Sequence, residues 1–176
     1  MNLLLKVALR YSIIAISFVF FMFVIAILLD KNPLIYTNNI VYMGPLFGIF
    51  IFLLIKALKT LNGGALRFWQ GFSSGALFIL FFCLLYGSFL LIYGEFFDTQ
   101  YYQEYRDLSV ARTENQREQI IESFDLETYE NTLKSTANAS IFDIAFLLVR
   151  NCVFIGIVLV PIVSLFMRTT EPKVKS

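Results

Sequence analysis

Residues 71–75 read Gly-Phe-Ser-Ser-Gly, which matches the G-x-S-x-G motif of serine hydrolases. In those enzymes the motif forms a tight strand-to-helix turn, and its serine needs a histidine as general base. The chain contains no histidine, and the motif opens an apolar run instead of following a strand. We therefore expect no catalytic serine here, and we interpret Gly71 and Gly75 as small residues at a helix–helix contact.

The last apolar run contains two charged residues, Asp143 and Arg150, and Asn151 follows the arginine. A spacing of seven places the two charges on one helix face, about 10 Å apart. Because ionisable residues inside a membrane often mark an ion or substrate path, Asp143, Arg150 and Asn151 form a candidate polar intramembrane site. A structural interpretation competes with this one. Ser140 and Asp143 fit a capping box, and the long side chain of Arg150 can reach the membrane surface.

The other reactive residue types do not assemble into a site. Cys83 and Cys152 lie inside apolar runs, where a reduced thiol behaves as a small hydrophobic group, and a zinc site without histidine is disfavoured. Glu114, Glu118 and Glu122 recur every four residues, as on a solvated helix face. We expect no catalytic residue, no metal and no cofactor.

The composition indicates the elements that carry these residues. The chain of 176 residues is 58% hydrophobic and 15% charged, too apolar for an ordinary soluble domain. Four apolar runs meet the length of about 20 residues that a membrane-spanning helix requires. They cover residues 11–29, 40–58, 72–93 and 141–167. The sequence therefore predicts an all-α membrane protein, one four-helix transmembrane domain over residues 1–176.

The distribution of basic residues predicts the orientation of these spans. Cytoplasmic loops carry an excess of Lys and Arg. One side of the predicted topology carries Lys6, Arg10, Lys56, Lys59, Arg67, Arg168, Lys173 and Lys175. We expect both termini on the cytoplasmic side and the acidic segment 95–140 on the extracytoplasmic, periplasmic side. The sequence has no basic segment of the kind that would indicate a nucleic-acid partner.

Small residues within the spans predict where helices touch, because they let backbones approach closely in lipid. Gly44 and Gly48 lie near the outer end of the second span, and Gly87 and Gly94 near the outer end of the third, so we expect these patches to meet. The candidate packing residues are Gly44, Gly48, Gly71, Gly75 and Gly87.

Segment 95–140 has the pattern of three short amphipathic helices. Asp98 is a candidate N-cap for the first, Thr113 begins a capping box for the second, and Asp125 is a candidate cap for the third. The candidate interaction surface consists of Phe97, Tyr101, Tyr105, Leu126, Tyr129 and Leu133. A segment of this size buries little core alone, so this surface needs cover from its own bundle, a second copy or a partner.

The stretch between the second and third spans resembles a bacterial membrane family, domain of unknown function 4199. The family pattern runs from a Gly-Gly turn through a phenylalanine and a glutamine to a glycine inside the third span. The matching residues are Gly63, Gly64, Phe68, Gln70 and Gly75, and Gly71 departs from the alanine-like residue of the pattern. The resemblance extends over the layout of the whole chain. It implies four helices in a Gram-negative inner membrane and no known reaction.

Three functions remain open on this basis. The leading hypothesis is a non-enzymatic accessory or structural subunit that docks on a larger envelope complex, or on a second copy, through aromatic spans and acidic loop helices. The alternative is a small transporter or channel subunit with a polar path near Asp143, Arg150 and Asn151. An enzyme with its site in segment 95–140 is the weakest of the three, since the spacing of the acidic residues requires no more than a solvated face.

Overall fold

The computed structural model describes residues 3–37, 39–97 and 99–169. The secondary structure of these residues is helical: α1 (Leu3–Leu28), α2 (Pro33–Thr37), α3 (Ile40–Leu61), α4 (Phe68–Phe96), α5 (Gln100–Asn115), α6 (Arg117–Ser123), α7 (Leu126–Ala137) and α8 (Ile141–Met167). Four of them, α1, α3, α4 and α8, are long and apolar enough to cross a membrane. This confirms the all-helical fold with four candidate spans and indicates a multi-pass membrane protein.

Helix α4 is the centre of the bundle and packs against α8, α1 and α3. Phe78, Phe82 and Tyr86 recur every four residues along α4, and all three are fully buried. Phe47 of α3 packs edge-on against Phe82, with ring centroids 4.8 Å apart. On the α1 side, the Ser12 hydroxyl donates a hydrogen bond to the Phe78 carbonyl at 3.0 Å. The core is thus an aromatic ladder on one helix, enclosed by the other three.

The turn between α3 and α4 requires its two glycines. Gly63 and Gly64 have φ values of +69° and +87°, a region that side-chain-bearing residues rarely adopt. The Gly64 amide donates to the Lys59 carbonyl at 2.9 Å, and the Gly63 amide to the Thr60 carbonyl at 3.1 Å. These two bonds form a Schellman motif, which ends α3 and turns the chain towards α4.

The same turn is tied to the end of α8. The Leu66 amide donates to the Thr169 hydroxyl at 3.0 Å, and the Thr169 amide donates to the Leu66 carbonyl at 2.8 Å. Lys59 Nζ donates to the Met167 carbonyl at 3.0 Å, where the negative end of the α8 dipole favours a cation. We call this side of the bundle, with the turn and residue 169, the elbow end.

The opposite side, the insertion end, carries α2 and the helices α5, α6 and α7. Helix α5 runs without a break through Thr113, so the predicted capping box at Thr113 is wrong. Instead the Thr113 hydroxyl donates to the Ser109 carbonyl at 3.0 Å, one turn earlier in the same helix. The predicted cap of α7 is confirmed: Asp125 accepts from the Thr128 amide at 2.6 Å. The predicted cap at Asp98 falls outside the described residues.

Candidate functional site

The hydrolase-like motif lies in the first two turns of α4. Ser73 is exposed, and the buried hydroxyl of Ser74 has no hydrogen-bond partner. A Cβ added to Gly71 would lie 3.2 Å from Ser164 Oγ of α8, and one added to Gly75 would lie 2.7 Å from Val160 Cγ1. The two glycines therefore allow α4 and α8 to approach closely, and the motif forms a packing contact.

The rest of the α4–α8 contact also pairs glycines with larger residues, and the glycine lies on either helix. A Cβ on Gly156 of α8 would lie 2.6 Å from Ile79 Cδ1, so here the glycine is on α8 and the large residue on α4. Further along, Gly87 of α4 faces Val149 of α8 at 3.2 Å. Each close contact pairs a glycine with a larger residue across the interface, which fixes the register of the two helices.

The glycines of α3 lie in a different environment. A Cβ added to Gly44 or Gly48 would have nothing within 4 Å, so neither glycine makes a close helix contact. Gly94 of α4 faces Ile141 of α8 and the ring of Tyr102, so the expected meeting of the α3 and α4 patches does not occur. The sequence pattern did not distinguish these pairs, because glycines at helical spacing look the same whichever helix is their neighbour.

The three residues of the candidate polar intramembrane site do not act together. Asp143 caps α8: its Oδ2 accepts from the Ser140 amide at 2.9 Å and from the Ser140 hydroxyl at 2.6 Å. The Ser140 hydroxyl in turn accepts from the Asp143 amide, which confirms the capping box. Arg150 is exposed, and only Asn151 faces a groove at the insertion end.

The two cysteines are free thiols, Cys152 buried and Cys83 half-buried. Among the described residues no three His, Cys, Asp or Glu side chains lie close enough to hold a metal ion.

Helix α5 docks on the bundle through a residue that the sequence pattern did not single out. The hydroxyl of the buried Tyr102 donates to the Leu90 carbonyl of α4 at 2.7 Å. Burial raises the pKa of this hydroxyl and that of Tyr105, so both remain protonated. From α5's other side, Asn32 Nδ2 donates to the Tyr101 carbonyl at 2.8 Å. The sequence pattern favoured Tyr101 and Tyr105, which are partly buried against the core, and it missed Tyr102 between them, which is buried.

Helices α6 and α7 form an arm, residues 117–137, that contacts the rest of the protein mainly through α5. Its buried side chain is Tyr129, whose ring lies 5.8 Å from the Arg117 guanidinium carbon. Leu133 is half-buried, whereas Leu126 is exposed and Phe124, between the two helices, is 74% exposed.

The candidate interaction surface is therefore divided between two environments. Tyr101, Tyr105 and Tyr129 turn towards the protein, and Phe97 and Leu126 remain exposed. Phe97 is 77% exposed, and its ring stacks on that of Tyr93 at 6.1 Å. The structure adds Phe124 to the exposed apolar residues of this end. Phe124 lies between two helices, so an analysis of helical periodicity does not detect it.

A groove of about 760 Å³ opens beside α5 at the insertion end. It lies between α2, the start of α3, the second half of α5 and Asn151 of α8. Its lining combines amide, hydroxyl and guanidinium groups with aliphatic side chains. Its volume lies within the range of about 300–1,000 Å³ found for small-molecule pockets.

No curated protein and no solved structure matches the chain. A family model described as "Protein of unknown function (DUF4199)" matches residues 10–169. The matched segment contains most of α1, the Gly-Gly turn, the other three long helices and the insertion. The chain belongs to the DUF4199 family of proteins of unknown function.

Proposed function

We propose that this protein is a non-enzymatic subunit of the bacterial inner membrane that docks a second envelope protein on its α6–α7 arm. One observation carries the proposal: the arm leaves Phe124 and Leu126 exposed at the polar end of a membrane bundle. A large apolar side chain held 74% exposed on a helical arm is the kind of anchor that fills a pocket on a partner.

The charge of the arm supports a basic partner surface. Its charged residues are Arg117, Glu118, Glu122, Asp125, Glu127, Glu130 and Lys134, so acidic groups predominate. Like charges disfavour pairing of two such arms, and a partner with basic residues around an apolar recess is complementary. The charge of the arm therefore favours a different protein as partner over a second copy of this chain.

The proposed orientation puts the elbow end and both termini in the cytoplasm and the arm in the periplasm. The support is the concentration of Lys and Arg in and around the elbow, since such residues are retained on the cytoplasmic side. Lys59, which binds the end of α8, belongs to this group.

Transport along a polar path is the weaker alternative. The carboxylate of Asp143 is engaged with Ser140 in the cap of α8, and Arg150 lies on the exposed surface. Asn151 is then the one member of the candidate path that faces a cavity.

Site-specific photo-crosslinking tests the docking proposal. A benzophenone amino acid in place of Phe124, irradiated in native membranes, is expected to give one adduct with a different protein whose crosslinked peptide carries basic residues. Phe124→Asp is expected to reduce co-purification of that protein at least tenfold, because the substitution puts a charge into the apolar recess.

Ser123→Asp is the matched control, since Ser123 is an exposed neighbour on the same arm and the substitution adds the same charge. It should leave co-purification within about twofold of the unmodified protein. An adduct with a second copy of the chain, or equal recovery of the partner with Phe124→Asp, would show the proposal to be wrong.

A further inference from the structure

The groove at the insertion end exists because α3 is shorter than its neighbour α8. The two helices run in the same direction and end together, since Lys59 binds the carbonyl of Met167, the last residue of α8. Counting back from that contact, α8 extends roughly two turns beyond the start of α3, or about 10 Å. The space above the first turn of α3 is left for α2 and α5.

The wall of the groove has two chemical halves. Ile35, Ile40 and Leu108 supply aliphatic surface, and Ile40 and Leu108 are exposed. Asn39, Ser109, Arg112, Asn115, Gln116 and Asn151 supply polar groups. An amphiphile fits such a lining, with its chain on the aliphatic surface and its headgroup among the polar groups.

The charge of the lining favours an anionic headgroup. Arg112 is the charged side chain of the groove, and none of the residues lining it is acidic. This contrasts with the rest of segment 95–140, where acidic residues outnumber basic ones. A guanidinium binds phosphate oxygens in a bidentate manner, so a phosphodiester is a suitable partner for Arg112.

We propose that this groove binds an anionic phospholipid from the adjoining membrane leaflet, with its phosphodiester at Arg112 and an acyl chain along Ile40 and Leu108. The position of the groove, at the level of the first turn of α3, puts the headgroup near the membrane surface and opens the aliphatic half to the bilayer. This binding is independent of the docking role of the arm.

Native mass spectrometry of the detergent-purified protein tests the proposal. The protein is titrated with phosphatidylglycerol or with phosphatidylcholine of the same acyl chains. We expect each protein to retain one phosphatidylglycerol at lipid concentrations where it retains no phosphatidylcholine. The affinity for phosphatidylglycerol should exceed that for phosphatidylcholine about tenfold or more. Arg112→Gln should lower the affinity for phosphatidylglycerol about tenfold, and Arg112→Lys should retain part of it.

Arg117→Gln is the control, because Arg117 is an exposed arginine on the next helix and does not line the groove. It should leave phosphatidylglycerol binding unchanged. Circular dichroism and thermal unfolding establish that each variant is folded, and Asn151→Leu, which changes a different helix, should also weaken binding.

Three results would overturn the proposal. They are equal affinity for the two lipids, an unchanged affinity in both Arg112→Gln and Asn151→Leu, and an equal loss in Arg117→Gln. A further experiment adds millimolar inorganic phosphate to the lipid-bound protein. Displacement of the lipid by phosphate alone would assign the site to a soluble anion, a fourth result that would contradict lipid binding.

Discussion

At the scale of single residues, the Gly-Gly turn and the glycines of α3 have opposite structural roles. Gly64 has a φ of +87° and donates the bond that ends α3. Gly44 lies inside α3 beside open space. The positive φ values of Gly63 and Gly64 explain physically why this turn requires glycine.

This contrast makes a first prediction. Gly64→Ala should destabilise the protein by about 1–2 kcal/mol, because a Cβ is unfavourable at positive φ. Gly48→Ala, at the other glycine of α3, should be neutral or stabilise by up to about 1 kcal/mol, because alanine is the better helix former and its methyl group faces open space. Thermal unfolding of both variants in one detergent gives the comparison. Equal effects of the two substitutions would contradict it.

Asp125 provides a second prediction at this scale. Hydrogen bonds from Thr128 hold the pKa of its carboxyl below the ordinary value. The cap therefore stabilises α7 fully above the pKa of an unfolded aspartate, and this contribution is lost as the pH falls through the lower folded-state pKa. The chemical shift of the Thr128 amide should follow this titration. In Asp125→Asn, an uncharged cap, the titration should be absent, and a pH response of equal size in that variant would rule out the assignment.

At the scale of helices, the α4–α8 contact is organised by pairs of small and large residues. Gly75 receives Val160, and Gly156 receives Ile79. Because the small member alternates between helices, a shift of one helix by a turn would bring large residues together. Packing of this kind lets helix backbones approach closely where no hydrophobic effect drives association.

A third prediction follows from the Gly75–Val160 pair. Gly75→Val should destabilise the protein by about 1–3 kcal/mol through overpacking. Adding Val160→Ala should restore much of the loss, because it makes space on the facing helix. Gly48→Val is the control and should change thermal stability little, since Gly48 faces open space. Failure of Val160→Ala to improve the Gly75→Val variant would show that the two positions are not coupled.

At the scale of the whole molecule, the two ends of the bundle differ in construction. The elbow end is closed by bonds between the Gly-Gly turn, Thr169 and Lys59. The insertion end carries α5 docked by Tyr102 and an arm that projects beyond it. The proposed partner contact and the proposed lipid contact both lie at the insertion end.

The proposed topology makes a fourth prediction. In a variant with Cys83→Ala and Cys152→Ala, a cysteine at Ser123 should react with a membrane-impermeant maleimide in intact spheroplasts, and a cysteine at Asn62 should react only after lysis. The reason is that long segments cross the membrane regardless of charge, whereas the basic elbow is retained. The reverse labelling pattern would overturn the orientation.

Local chemistry is sufficient for part of this structure. The four spanning helices follow from the length of the apolar runs, and the caps at Asp125 and Ser140 follow from side chains that bond to amides three residues away. The same local rule failed at Thr113, because a threonine within a helix can satisfy its hydroxyl on the preceding turn.

The sequence by itself determined an all-helical membrane protein, the turn at Gly63 and Gly64, and the absence of a histidine-dependent site. Only the tertiary structure decided which glycines make close helix contacts, that Tyr102 docks α5, and that Arg112 and Asn151 line one groove. The physical reason is that hydropathy, caps and turns depend on neighbours a few residues apart. The convergence of side chains from α3, α5 and α8 depends on the relative lengths and register of helices far apart in the chain.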